Sequence, residues 1–356
     1  MPWPFAAGDG SQLGAYSSTT NIQFGGTNYP SIQLLRQTGA KWVRIEASWS
    51  SLANNITALN GQVAAIVGLG LTPIMTINNT PDALSINNNV CCNPDTRSIC
   101  RCNFDPNCVS IAPNSEPANF NAFATFCTNL ATNYVPQGVF YYQVWNEPNL
   151  VGNWIVTTSN QCGTDDYTKS VTDYRLLLHT AYTSLRAVDT RVKVLMAGMA
   201  WDECLVNPNS PTCTKPQYRH NFFRDCMDNS GTYGPYPAYD NCDIVDFHFY
   251  GTADNRVEQL KAWIEVHRDA LYPHAHKPIF CTETGVQSNS SPSLPNQTDW
   301  IKEIFPVLLE NGVDVGLYFQ LFDLGSGTLW GLIDPLKQPK RGYYAFRDFI
   351  QSGGYL

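Results

Sequence analysis

With 356 residues, 43% of them hydrophobic, the chain can bury a large core. One domain of that size points to a barrel, since (β/α)8 folds run to ~250 residues and beyond. A formal net charge of −8 argues against nucleic acid or an anionic membrane as a partner, and no run of ~18 apolar residues predicts a transmembrane helix.

No repeat, low-complexity tract, charge run or Pro/Gly/Ser linker divides the chain, so residues 1–356 read as one domain. Apolar, β-rich runs alternate with helical stretches, the pattern of a parallel α/β fold. A first strand is expected at 4–7, then a helix over 29–38 ended by Gly39. Strand two covers 41–46, followed by a helix at 61–69 with Gly70 as C-cap. Strand three is 72–77. A cysteine-rich loop then leads to a helix over 117–134, with Ser115 as N-cap.

Strand four, 139–144, precedes a helix over 165–188, and strand five, 192–197, precedes a second cysteine-rich loop with a short helix near 218–228. Strand six is 244–249, with a helix at 256–271. Strand seven is 278–282, with a helix at 299–311. Strand eight is 315–319, and Phe346 and Ile350 belong to a closing helix. Eight strands alternating with helices make an α/β chain, a single (β/α)8 TIM barrel with disulfide-rich loops after strands 3 and 5.

Twelve cysteines point to an oxidising compartment. Cys91, Cys92, Cys100, Cys102 and Cys108 fall in one loop, and Cys204, Cys213, Cys226 and Cys242 in another. Zinc is the competing reading of the first cluster, but its spacing lacks paired C-x2-C units and no His lies near it. Disulfides are therefore expected, with connectivity open. Cys281, inside a buried strand, is expected as a free thiol or paired with a core cysteine such as Cys127. Sequons at Asn55, Asn78, Asn289 and Asn296 fit a secreted glycoprotein. The opening Met1-Pro2-Trp3-Pro4 carries no apolar signal segment, as in a mature form given a start Met.

The chemistry centres on two glutamates. Glu147 follows the run 139–144, and Glu283 follows 278–282, so each carboxylate ends a strand, where a parallel barrel builds its active site. Other polar residues crowd the same ends: Arg44 and Glu46, Asn78 and Asn79, Asn146, His248, Tyr250 and Gln320. Asp202, Glu203 and Asp323 are further candidates for binding substrate. Aromatic residues make up 12% of the chain; Trp49, Trp154, Trp201 and Trp330 stand close after strands or in long loops, where a ring can stack on the apolar face of a sugar.

Trp145-Asn146-Glu147-Pro148 and Thr282-Glu283-Thr284-Gly285, with Arg44 and His248-Phe249-Tyr250 in order, resemble the clan A retaining glycoside hydrolases. The likeness is greatest to family 39 and its endo-acting relatives, with the family 5 cellulases as the near alternative. It implies Glu147 as acid/base, Glu283 as nucleophile, Arg44 and Tyr250 holding Glu283, and Asn146 on the 2-OH of the reacting sugar. It also implies a polysaccharide or oligosaccharide substrate, with no metal and no cofactor. Two positions depart from the pattern: Asn78-Asn79 stands where many members carry His, and Phe319-Gln320 where many carry Trp.

The expected activity is that of a secreted retaining β-glycosidase, probing an extended cleft as an endo-enzyme. An exo-acting enzyme such as a β-xylosidase, or a transglycosylase, would use the same site. A carbohydrate-binding protein without catalysis fits less well, because both glutamates are present. A monomer is the simplest expectation.

Overall fold

The computed structural model describes residues 13–16, 21–24, 27–87, 91–92, 99–100, 109–110, 112–156, 166–206, 218–269, 277–288, 296–323, 329–336 and 338–353. Eight strands form the sheet: β1 Leu13–Tyr16, β2 Trp42–Ser48, β3 Thr72–Asn78, β4 Tyr141–Val144, β5 Lys193–Leu195, β6 Val245–Phe249, β7 Ile279–Thr284 and β8 Val315–Tyr318. Their order is β5-β4-β3-β2-β1-β8-β7-β6, every pair parallel. Parallel bridges Leu195–Ile244 and Met199–Phe247 join the two ends of the sheet and close the barrel.

Helices α1 Ser31–Thr38, α2 Asn60–Gly68, α3 Phe120–Tyr134, α4 Tyr167–Val188, α5 Phe222–Met227, α6 Arg256–Asp269, α7 Gln297–Glu310 and α8 Arg341–Gln351 surround it. Each turns its apolar side inward; α4, for example, buries Val171, Tyr174, Leu178, Ala181 and Leu185 at three- and four-residue spacing. Gly39 and Gly70 end α1 and α2 at φ +94° and +70°, a conformation glycine adopts without a Cβ penalty.

The barrel interior is layered. Ile74, Leu195, Ile244, Phe280, Val315 and Leu317 fill an apolar floor, with Trp42 and Tyr141 packed against it. Two residues further along the strands, where side chains return to the same face, come the buried Arg44, Thr76, Gln143, Asp246 and Thr282. The C-terminal ends of the strands lie above this polar layer.

Three sequence expectations change. The first strand is Leu13–Tyr16; residues 4–7 lie outside the described residues. The N-cap of α3 is Asn119, whose side chain accepts the Asn121 N–H, while Ser115 is buried and its carbonyl accepts the Thr80 hydroxyl. Cys226 and Cys242 are free, buried thiols of the core around α5, too enclosed to belong to a loop framework. Cys127 and Cys281 are also free and buried. Cys204 is disulfide-bonded. Cys91–Cys92, Ile99–Cys100 and Val109–Ser110 form a small antiparallel sheet in which Cys91 stands opposite Cys100. Cys102, Cys108, Cys162 and Cys213 lie outside the described residues.

Candidate active site

In a regular strand Asn146 and Glu147 would point to opposite faces. The chain after β4 escapes that alternation because Trp145 and Glu147 both take left-handed backbone, φ +76° and +48°. Such conformations cost ~1–2 kcal/mol per non-glycine residue. They are held here by Trp145 N–H on the Ile77 carbonyl (2.7 Å), Trp145 Nε1–H on the Asn153 carbonyl (2.6 Å) and Glu147 N–H on the Gly198 carbonyl (3.1 Å). Both side chains consequently reach the barrel mouth. On the opposite wall, the register between β6 and β7 slips so that Phe247 faces Cys281 but His248 faces Glu283. This irregularity brings Thr282 and Glu283, neighbours in sequence, into the same interior.

Glu283 is buried. Arg44 Nη1 donates to its Oε1 in a short ion pair, and the Tyr250 hydroxyl donates to Oε2 at 2.7 Å. Burial alone would raise this carboxyl; the charges of His248 and Arg44 and the bonds from Tyr250 and Arg44 outweigh it and hold Glu283 below the ordinary value of 4.5. Burial and the Glu283 charge keep the Tyr250 phenol protonated well above its usual range. Arg44 Nη2 donates to Asn146 Oδ1 at 2.6 Å, which leaves the Asn146 amide N–H groups to point elsewhere.

Glu147 is held differently. Its Oε1 lies 2.8 Å from His248 Nδ1, and its Oε2 accepts from Asn153 Nδ2 at 3.3 Å. Burial lowers the affinity of His248 for a proton, but Glu283 and Glu147 reverse the sign and raise it above the ordinary imidazole value. The ring sits where a Cβ on Gly198 would lie 2.1 Å from Nε2, so only glycine leaves room for it.

One oxygen of Glu147, one of Glu283 and His248 Nδ1 all lie within 4.8 Å of one another. Nearest oxygens this close are compatible with carboxyl groups ~5–5.5 Å apart, the spacing for direct attack by one of them. These three donors are also a formal metal set, but Arg44 already balances the Glu283 charge. A second such set, Asp202, Cys204 and His220, contains a disulfide sulfur in place of a thiolate.

The remaining candidates divide. Asn78 stands at the end of β3 and Gln320 two residues beyond β8, and Asn78 Oδ1 and Gln320 Oε1 are buried without a hydrogen-bond partner among the described residues. Trp330, half-buried, packs edge-on to Tyr250 (5.3 Å) and Phe319 (6.0 Å), beside Glu283. Trp201 is half-buried, edge-on to Phe249 and Trp263. Trp49 and Trp154 are corrected to core residues. Trp49 stacks on Phe126, and Trp154 packs on Trp145 and Tyr174 with its Nε1–H on the Ser170 carbonyl, so neither offers a face to a sugar. Asp202 is spent on His220 (2.8 Å), Asp323 on Lys340 (3.0 Å) and the Gly331 N–H, and Glu46 on Asn79 (3.0 Å). The sequon at Asn78 is closed, because Thr80 is fully buried. Gln143 and Asp246 were missed in the sequence. Their signal was the two-residue alternation Asp246, His248, Tyr250 along one strand, a polar stripe facing inward.

Comparison with known proteins agrees with this geometry. Residues 6–318 match the family described as Cellulase (glycosyl hydrolase family 5). No curated protein sequence matches the chain. Among solved structures, a monomeric beta-xylosidase from Caulobacter crescentus CB15 is similar at 16% identity and TM-score 0.64, over 96% of this chain and 69% of that one. The exo-beta-1,4-mannosidase Op5Man5 from Opitutaceae bacterium strain TAV5 aligns at 14% identity and TM-score 0.60, over 96% and 59%. A family 1 β-glucosidase from Thermotoga maritima aligns at 13% identity and TM-score 0.60, over 99% and 100%. At these identities the structures establish the (β/α)8 fold.

Proposed function

We infer the function from one premise: the chain belongs to the cellulase family, glycosyl hydrolase family 5. It is a glycoside hydrolase of the retaining, clan A type. Within that class we propose a secreted, monomeric β-glycosidase that cleaves a β-linked polysaccharide internally, by double displacement. The observation that carries the mechanism is the pair of carboxyl oxygens within 4.8 Å, one held by a cation and the other by an imidazole.

Glu283, ionised and fixed by Arg44 and Tyr250, attacks the anomeric carbon. Glu147 donates its proton to the leaving oxygen, then takes one from water as the glycosyl ester is hydrolysed. The Asn146 amide, oriented by Arg44, donates to the 2-OH of the reacting sugar. Asn78 stands at the end of β3 and Gln320 just beyond β8, at the rim around the reacting sugar, and Trp330 backs the ring.

The test is a time course on β-glucans, xylans, mannans and galactans beside Glu147→Gln and Glu283→Gln, with products sized and the first-formed anomer assigned by proton NMR. Oligosaccharides of retained configuration, lost in both variants, are expected. Inverted product would remove the assignment of Glu283 as nucleophile. A second reading, exo action, is favoured by the similarity to an enzyme named as an exo-mannosidase; monosaccharide released from chain ends would establish it. Transfer to added sugar in place of water would mark a transglycosylase. For secretion, the disulfide at Cys204 is the support. Alkylation of the unreduced, denatured protein should label Cys127, Cys226, Cys242 and Cys281 and leave the other eight cysteines protected.

A further inference from the structure

Asp246 lies one layer below the two glutamates and is fully buried. Its Oδ1 accepts the Thr282 backbone N–H at 3.0 Å. Its Oδ2 accepts the Thr282 hydroxyl at 2.6 Å and, over a short contact, Gln143 Nε2–H. An ionised carboxylate only accepts, so Asp246 sets the direction of every hydrogen bond that leaves it.

Two chains start there. One runs through Gln143, whose Oε1 then faces Arg44 Nε at 2.6 Å and the Thr76 hydroxyl at 2.7 Å. Arg44, pinned at Nε, directs Nη1 to Glu283 and Nη2 to Asn146. The other runs through Thr282. Its hydroxyl gives its one proton to Asp246, so it accepts from Gln143 Nε2 (3.0 Å) and from His248 Nε2 (3.2 Å). While Asp246 is ionised, above the value of about 6 to which burial raises it, His248 therefore carries a proton on Nε2. Its Nδ1, 2.8 Å from Glu147 Oε1 and 3.7 Å from Glu283 Oε2, is the only ring nitrogen left for exchange.

We propose that Asp246 is a positioning residue for both catalytic glutamates. Through Gln143 and Arg44 it aims the cation at Glu283. Through Thr282 it locks His248 in the form whose Nδ1 receives the proton of Glu147 and returns it. This deepens the glycosidase reading above and rests on it for the kinetics alone.

Asp246→Asn separates this role from simple packing. The amide oxygen keeps the Thr282 N–H, so the amide nitrogen takes the place of Oδ2. There it donates to the Thr282 hydroxyl and opposes Gln143 Nε2, a second donor. The hydroxyl proton must then turn to His248 Nε2, and the imidazole proton moves to Nδ1, where it donates to Glu147 and takes away the acceptor for the acid's proton.

The experiment is long-range 1H–15N NMR of the 15N-histidine-labelled full chain, followed to a pH above the raised His248 titration and above the value of about 6 to which burial brings Asp246, so that the ring holds one proton, with His248 assigned by His248→Gln. Wild type is expected with its proton on Nε2 and Asp246→Asn with its proton on Nδ1. Alongside it, kcat and KM are measured on dinitrophenyl and alkyl β-glycosides of the sugar released in the polysaccharide panel. For the alkyl glycoside, which needs the general acid, kcat should fall about 10²-fold with KM nearly unchanged. The dinitrophenyl glycoside, whose leaving group departs unprotonated, should lose less. Thr282→Val, which cuts the His248 chain and one Gln143 contact but leaves the Asp246–Gln143–Arg44 links, should reproduce the alkyl-selective loss, and Thr282→Ser, which keeps the hydroxyl, should restore it; this pair carries the test if Asp246→Asn does not fold by circular dichroism. An unmoved imidazole proton in Asp246→Asn or Thr282→Val, or equal losses on both leaving groups, would overturn the proposal. Inactivity of wild type on every glycoside would sink the glycosidase reading and leave the NMR result standing.

Discussion

Glu283 and Glu147 are neighbours in space, yet the protein grips them by opposite means. Glu283 receives a guanidinium and a phenol, both permanent donors, and stays charged. Glu147 meets an imidazole, which both gives and takes a proton, and only a longer contact from Asn153. A nucleophile needs a fixed anion and an acid/base needs a partner that tolerates both of its states. The difference in partners, more than the glutamates themselves, divides the labour.

The sharpest break in the comparison is removal of each carboxylate. Glu283→Ala should lower kcat by at least ~10⁴-fold, and Glu147→Ala by ~10²–10⁴-fold. Azide should then report on which face was vacated. It attacks the glycosyl ester of Glu147→Ala to give a β-glycosyl azide, and enters the empty nucleophile site of Glu283→Ala to give the α product. One product from both variants would dissolve the division.

Arg44→Met comes next. It leaves a buried carboxylate without its cation, at ~3–5 kcal/mol of stability read from denaturant unfolding, and activity should fall with it. The sign of its pH dependence is fixed by the lowered Glu283 value. The pair's contribution is full above 4.5 and is lost as pH falls through the lower folded value. The stability gap between wild type and Arg44→Met should therefore narrow in acid; a gap that widens would reverse the argument.

Trp154→Ala should cost ~3–5 kcal/mol in the same unfolding measurement, with KM on the polymer unchanged at permissive temperature. Tyr250→Phe removes one hydrogen bond to a charged group, about 10-fold or somewhat more in kcat, and should move the acid limb of kcat/KM to higher pH, because that bond helps to hold Glu283 low. The smallest effect belongs to Trp330→Ala: a few-fold rise in KM, about 1 kcal/mol of lost ring contact, with thermal stability unmoved. Trp154 and Trp330 thus oppose each other as core and platform, as the two glutamates do in their partners.

Much of this site was legible in the sequence because barrel chemistry gathers at strand ends. Glu147, Glu283 and Tyr250 each end an apolar run that announces its own strand, and Arg44 and His248 lie within such runs. The closing strand Leu13–Tyr16 was not, since four residues with two small ones, Gly14 and Ala15, carry almost no hydrophobic period. Trp49 and Trp154 misled because proximity to a strand end does not say which way a side chain turns. Trp49 opens a one-turn helix that swings its ring onto α3. Asp246 was hidden for a different reason: a lone acid inside Ile244–Phe249 reads as an interruption, and its meaning depends on Gln143 and Thr282, which stand 103 and 36 residues away.

Gly198 carries no side chain, yet the His248 ring occupies the volume its Cβ would fill. Any other residue there evicts the imidazole, and with it the proton store of the acid/base. In a complete mutational survey scored by activity, position 198 should look as intolerant as a reacting residue. That profile would record an excluded volume: here a missing carbon is what the chemistry inherits.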